Sequence, residues 1–189
     1  MVSKPETDAE LARACRKNEP AAWRRLVDRF TPMVYRLAVR MLRRPADAED
    51  ACQEVFMRVH RSIESYDGTR PLAPWVLRIT YNVGLRRLER VAGQPRTAAE
   101  ELIEALPVEG HDPEHGTVRG EEDALLERFL GELSAQDRAL IVMRYREGLS
   151  DAEVAEATGM LVNTVKTRLH RARAQLRARL GPLVREEGV

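Results

Sequence analysis

Cysteine is nearly absent from this chain. Its 189 residues hold two, Cys15 and Cys52, far apart and without a C-x-x-C spacing or an adjacent histidine. That excludes a disulfide framework and a cysteine-based structural zinc site, and it suits a reducing compartment. Aromatic residues make up only 5% of the sequence, so its cores must be built from Leu, Val, Ile, Ala and Met. No apolar run approaches the roughly 20 residues that cross a bilayer. The opening MVSKPETDAELARAC is polar, with no apolar block of the kind that makes a secretory signal. The expectation is a soluble, cytoplasmic protein. Sustained period-two alternation is missing as well, and with it the signature of a half-buried strand.

What the chain does have is helical periodicity and unevenly placed charge. The formal net charge is +1, but residues 1–96 carry 19 basic and 12 acidic side chains, residues 97–132 carry 2 and 11, and residues 133–189 carry 10 and 7. Two basic blocks flank an acidic one, a distribution that speaks about partners rather than fold. Apolar residues repeat at three and four positions through Leu11–Phe30. Thr31-Pro32 has the form of an N-cap with Pro at the first helical position, and Val34–Leu42 repeat after it. Pro45 restarts the pattern through Ile63; a Gly- and Pro-bearing break, SYDGTRPLAP, precedes a last stripe of Val76, Ile79 and Val83.

Between 92 and 120 lie Gly93, Pro95, Pro107, Gly110, Pro113, Gly116 and Gly120 among many acids, the composition of a linker. Within it HDPEH places His111 and His115 beside two acids, a weak metal-like spacing without a scaffold. Beyond it Ser134 caps a helix, Gly148 ends that helix, Ser150 and Glu153 form a capping box, and Gly159 ends a second short helix. The fold class is therefore all-α: two small helical domains joined by a flexible acidic linker. The expected boundaries are 1–92, 93–120 and 121–189.

The last helix, VNTVKTRLHRARAQLRARL, holds six Lys or Arg and no acid. Val162, Val165, Leu169, Ala172, Leu176 and Leu180 share one face, leaving the cations on the other. A solvated surface helix would pair its cations with acids, and a membrane-surface helix would want a heavier apolar edge. Val154, Ala155, Gly159 and Val165 have the spacing of a helix-turn-helix, in which the second helix enters the major groove. On that reading Asn163, Thr164, Thr167 and Arg168 lie near base edges, and Lys166, Arg171 and Arg173 lie on phosphates.

At this level the sequence resembles the extracytoplasmic-function (ECF) sigma factors, promoter-specificity subunits of bacterial RNA polymerase. The stretch from LSAQDRALIVMRY to the last helix resembles their region 4. FTPMVYRLAVRMLRRPADAEDACQEVFMRVHRSI resembles regions 2.1 and 2.2, and SYDGTRPLAPWVLRITYNVGLRRLER regions 2.3 and 2.4. The resemblance implies that Asp47, Asp50, Gln53 and Glu54 dock on the beta-prime clamp of the core polymerase. It further implies that the 64–70 loop, with Tyr66 and Arg70, and Trp75, Arg78, Asn82, Arg86 and Arg87 bind the melted minus-10 strand. Aromatic, amide and cationic groups interleave there, as in other single-strand grips. The beta flap and promoter DNA are further implied partners, as is an anti-sigma factor, and neither a cofactor, a metal nor a small-molecule substrate is expected.

The chain departs from the family pattern in R-P-L-A-P-W, where Pro71 and Pro74 stiffen the loop, and at Leu161, where a capping hydroxyl is usual. The acidic linker, including Glu100, Glu101, Glu104 and Glu109, is expected to thread basic polymerase channels. Two other readings stand beside this one. A free-standing helix-turn-helix regulator would bind palindromic duplex DNA as a dimer, and a metal-dependent enzyme would use the D-x-x-D of Asp47 and Asp50 with a second carboxylate cluster, which the sequence does not offer.

Overall fold

Four helices and one short turn make the first block. The computed structural model describes residues 6–93 and 128–186, the last seven in backbone only. The linker beyond Gly93, with Glu100, Glu101, Glu104, Glu109, His111 and His115, falls outside these. Helix α1 spans Asp8–Arg16, α2 Pro20–Leu42, α3 Pro45–Ser62 and α4 Leu72–Ala92, with a 3₁₀ turn at Ile63–Ser65 after α3. In the second block a helical turn at 128–132 precedes α5, Ala135–Ile141, which runs into a π-helical segment, Val142–Arg146. Helix α6, Asp151–Thr158, and α7, Val162–Glu186, complete it. No strand occurs among the described residues.

Local chemistry explains most of the boundaries. Ser134 accepts from the Asp137 amide at 3.1 Å, and Ser150 and Glu153 close the expected capping box at the start of α6. Thr7 and Glu10 form a second box at α1. Gly148 and Gly159 take φ of +73° and +72°, a left-handed backbone that a Cβ would strain.

One boundary differs from expectation. Thr31-Pro32 does not open a helix; α2 continues through it, with Pro32 inside. The Thr31 hydroxyl donates instead to the Val27 carbonyl at 2.7 Å. Phe30, Met33, Val34 and Leu37 are all buried in one unbroken stripe. The packing of that stripe outweighs the roughly 3 kcal/mol that an interior proline costs.

Helices α2, α3 and α4 pack on one another around Leu26, Val34, Leu37, Met41, Val55, Val59, Leu72, Leu77 and Val83. In the second block Leu140, Met143, Val154, Val165 and Leu169 are buried between α5, α6 and α7. The two domains also lie against each other, α4 on α6 and α2 on α5, and their buried side chains form one contiguous cluster. Arg36 of α2 grips Glu147 with two parallel bonds of 2.9 and 3.0 Å, and Glu147 is only 6% exposed. Arg43 donates to the Gly131 carbonyl at 3.0 Å.

Candidate nucleic-acid and polymerase interfaces

Four residues on α3 separate into two groups. Pro45 at the first helical position and the buried Ala48, Ala51 and Val55 seat the helix on α2, turning the acidic residues outward. Asp50 is 68% exposed, Gln53 is exposed and Asp47 is 38% exposed, its carboxylate 3.6 Å from Arg44. These three form an open face. Glu54 turns inward and is 20% exposed. It accepts from Arg58 at 2.7 and 3.1 Å and from Arg87 of α4 at 3.1 and 3.2 Å, with Arg90 4.0 Å away. Burial pushes the Glu54 carboxyl up, but the bonds from Arg58 and Arg87 outweigh it and hold it below its ordinary value. Among the described residues no group of three His, Cys, Asp or Glu gathers to hold a metal at Asp47 and Asp50.

The depressed carboxyl has a measurable consequence. A carboxylate whose folded pKa lies below its unfolded value of about 4.3 stabilises fully above that value and stops doing so as pH falls through the folded one. Glu54→Gln is therefore expected to lower stability at pH 7 and to flatten the acid limb below about pH 4. Urea midpoints between pH 3 and 7 check it, and an unchanged limb contradicts it.

On α4 the expected strand-binding residues also divide. Arg78, Asn82 and Arg86 are exposed and lie in a row at four-residue spacing. Arg87 is held by Glu54, with Asp50 3.9 Å away, and so faces α3. Tyr66 is buried, its hydroxyl donating to the Arg70 carbonyl and its ring 5.4 Å from that of the half-buried Trp75, tilted by 53°. The loop holding these aromatics is anchored from the far end of the chain. Asp8 of α1 accepts from the Leu72 amide at 2.7 Å, standing in for the cap that Pro71 lacks, and Arg16 donates to the Ile63 and Tyr66 carbonyls. Contacts across some fifty residues leave no local trace in sequence.

Ser62, Ser65, Tyr66, Asp67, Arg70 and Pro71, with Pro74, Trp75, Arg78 and Asn82, line a cleft of about 590 Å³ whose opposite wall is Glu153 and Glu156 of α6. Tyr81, one turn from Arg78, is 1% exposed, and no described residue hydrogen-bonds its hydroxyl. Burial raises its pKa, with Arg168 and Asp137 near enough to bias it in opposite senses. A buried, unpartnered hydroxyl costs stability. Tyr81→Phe is accordingly expected to leave the urea midpoint unchanged or raise it by up to about 1 kcal/mol equivalent. A loss of that size would show that the hydroxyl is bonded.

In the second block the residues expected of a helix-turn-helix occupy its hinge. Val154 and Val165 are fully buried, Ala155 nearly so, and Gly159 turns the chain between α6 and α7. Leu161 is 78% exposed, its carbonyl accepting from the Val165 amide. The Thr167 hydroxyl donates to the Asn163 carbonyl at 2.9 Å. Asn163, Thr164, Lys166, Thr167, Arg171 and Arg173 are exposed along one side of α7. Arg168 is turned back into its own domain, donating to Asp137 at 2.7 Å and Gln136 at 2.8 Å. Tyr145 of the π segment, half exposed, lies under the guanidiniums of both Arg144 and Arg173, at 5.6 and 6.0 Å.

The geometry is that of a two-domain, all-helical protein, one domain of which holds a helix-turn-helix. Residues 26–93 match the family model described as Sigma-70 region 2, and residues 123–176 that described as Sigma-70, region 4. The ECF RNA polymerase sigma factor SigW of Bacillus subtilis (strain 168) is 32% identical over 178 residues, which cover 89% of this chain and 94% of SigW. CnrH, solved in complex with the cytosolic domain of CnrY, is 26% identical with a TM-score of 0.67, over 94% of this chain and 99% of that one. The sigma factor RpoE, solved with the anti-sigma factor NepR from Bartonella quintana, shares the fold at 20% identity and a TM-score of 0.66, over 84% and 96%. The chain belongs to the ECF sigma factors of the sigma-70 family, and it directs transcription to promoters.

Proposed function

We propose that this sigma factor works in the cytoplasm without catalysis of its own, through the three faces just described. Residues 1–92 dock on the beta-prime clamp through the open face of Asp47, Asp50 and Gln53. The same domain grips the melted minus-10 strand with Arg78, Asn82 and Arg86 and the aromatic loop of Tyr66, Arg70 and Trp75. Residues 121–189 read the minus-35 duplex: Asn163, Thr164 and Thr167 at base edges, Lys166, Arg171 and Arg173 on phosphates, with the beta flap behind. Residues 93–120 join the two. Glu54 and Arg87 serve as the clasp between α3 and α4, and Arg168 braces α7 on α5. An anti-sigma factor is a further partner, in keeping with the NepR-bound relative.

The observation that supports this reading is the pairing of unlike faces on one chain, an exposed polar and cationic side of α7 and, on α4, an exposed row of Arg78, Asn82 and Arg86 beside the tilted Tyr66–Trp75 pair. A dimeric regulator has no use for the second. Reconstituted transcription with core polymerase on a promoter library tests it; an absence of promoter-dependent transcripts would overturn it. The phosphate role of Lys166 has its own check. Lys166→Ala is expected to weaken binding of the holoenzyme across promoters alike and to lower the slope of log affinity against log salt by about one. A loss confined to one promoter sequence would instead make Lys166 a base reader.

A further inference from the structure

Leu161 combines two features that folding alone does not reward. It is a large apolar side chain 78% exposed to water, and Val162 beside it is 38% exposed. Its carbonyl accepts from the Val165 amide at 3.0 Å, which makes it the cap residue of α7. Ser134 and Ser150 hold the same position in α5 and α6, and each hydroxyl accepts from an amide of the first turn. A leucine cannot accept such a bond. The position gives up both a cap and the burial of an apolar group, and breaches of this kind gather at functional surfaces.

The corner that carries Leu161 is firmly built. Gly159 turns the chain at φ +72°, the partly buried Met160 packs on the core, and Val165 is fully buried one turn on. Charge and size then narrow what covers the side chain. The first turn of α7 has no acid, and Asn163, Thr164, Lys166, Arg171 and Arg173 are exposed along the helix behind it. Such a surface suits a polyanion. Each partner in a stable protein interface buries about 800 Å², far more than two side chains offer. A lone apolar group among polar ones instead fits the 5-methyl group of thymine, the apolar feature that a base pair shows in the major groove. A helix-turn-helix brings the N-terminal residues of its second helix to those edges.

We propose that Leu161 is a specificity-determining residue of the second domain, its side chain packing on the 5-methyl group of one thymine in the upstream promoter element. This rests on the assignment of α7 as the duplex reader. The contact reads a base without a hydrogen bond. Uracil pairs as thymine does and lacks only the methyl group, so the protein tells the two apart at that one position.

The test uses holoenzyme, core polymerase with the full chain, and double-stranded fragments randomised across the upstream element. The fragment most enriched by wild-type holoenzyme is remade with deoxyuridine at each thymine of that element in turn, and fluorescence anisotropy gives the affinities. One such substitution is expected to weaken wild-type binding about fourfold, the burial of roughly one methyl group. Leu161→Ala and Leu161→Ser are expected to bind the two fragments equally, while Leu161→Met keeps the discrimination. The serine variant regains a cap and is expected to show a higher urea midpoint, so its loss of discrimination is not a loss of fold. An enriched element without an A·T pair, or wild-type binding indifferent to every deoxyuridine, overturns the proposal. Discrimination that persists in Leu161→Ala overturns it too; an equal loss of affinity for both fragments there makes Leu161 a protein contact. Enrichment of no upstream element at all fails the duplex assignment, and the proposal with it.

Discussion

Asp47→Arg/Asp50→Arg is expected to lower affinity for core polymerase by about 100-fold or more while leaving the urea midpoint nearly unchanged. Both carboxylates are solvent-facing, and their nearest cations, Arg44 at 3.6 Å and Arg87 at 3.9 Å, make long, exposed contacts of small energy. Little folding energy is therefore at stake. A docking face is different, since close charge pairs across an interface couple by about 1.5–7 kcal/mol, and each 1.4 kcal/mol is tenfold in affinity. Reversal both removes attraction and adds repulsion. Glu54→Gln should show the opposite pattern, costing stability through Arg58 and Arg87 and affecting polymerase affinity far less. Fluorescence titration with core polymerase and urea unfolding of the same variants separate the two. Equal affinity losses at Asp50 and Glu54 would contradict the division of α3 into an open face and an inward clasp.

The second large effect is expected at the helix-turn-helix hinge. Val165 is fully buried where α7 meets α6, against Val154 and Leu140 in the same core. Val165→Asp places a carboxylate in this apolar core, at a cost on the order of 4 kcal/mol. Against a typical total of about 5–15 kcal/mol that suffices to unfold the small second domain. Promoter-specific transcription is expected to disappear, with helicity lost from the second domain by circular dichroism. Val165→Ile, which keeps the site apolar, is expected to retain both. A Val165→Asp protein with wild-type helicity and transcription would show that these two helices are not packed as described.

Local signals carried much of this architecture. Ser134, Ser150 with Glu153, Pro45 and Gly159 mark helix ends with nearest-neighbour chemistry, and each does so in the structure. The apolar face of α3 and the buried Val165, Leu169 and Ala172 of α7 follow from three- and four-residue spacing, while Val162, expected on the same face, is 38% exposed. Thr31-Pro32 misled because its local form is that of a helix start, while the burial of Phe30, Met33 and Val34 on distant helices decides the outcome.

The interfaces were harder to read for the same reason. Periodicity places Asp50 and Glu54 on one side of α3, and Arg86 and Arg87 next to each other on α4. It does not say that Glu54 and Arg87 will find one another across 33 positions, or that Arg168 will find Asp137. An acidic or basic side chain on the expected face is therefore not yet a contact residue; its intramolecular partner must be known first. Nor does sequence spacing reveal that Glu156 will stand over Arg70, since that depends on how the two domains pack.

The account turns on promoter direction, and one measurement reaches it most directly. Core polymerase is incubated with a library of double-stranded promoter fragments, with and without this chain, and transcripts are sequenced from their 5′ ends. The predicted result is a set of start sites that appear only with the chain and share two unlike elements, upstream of the start by about 35 and 10 positions. Start sites independent of the chain, or a single palindromic element bound without polymerase, would contradict it.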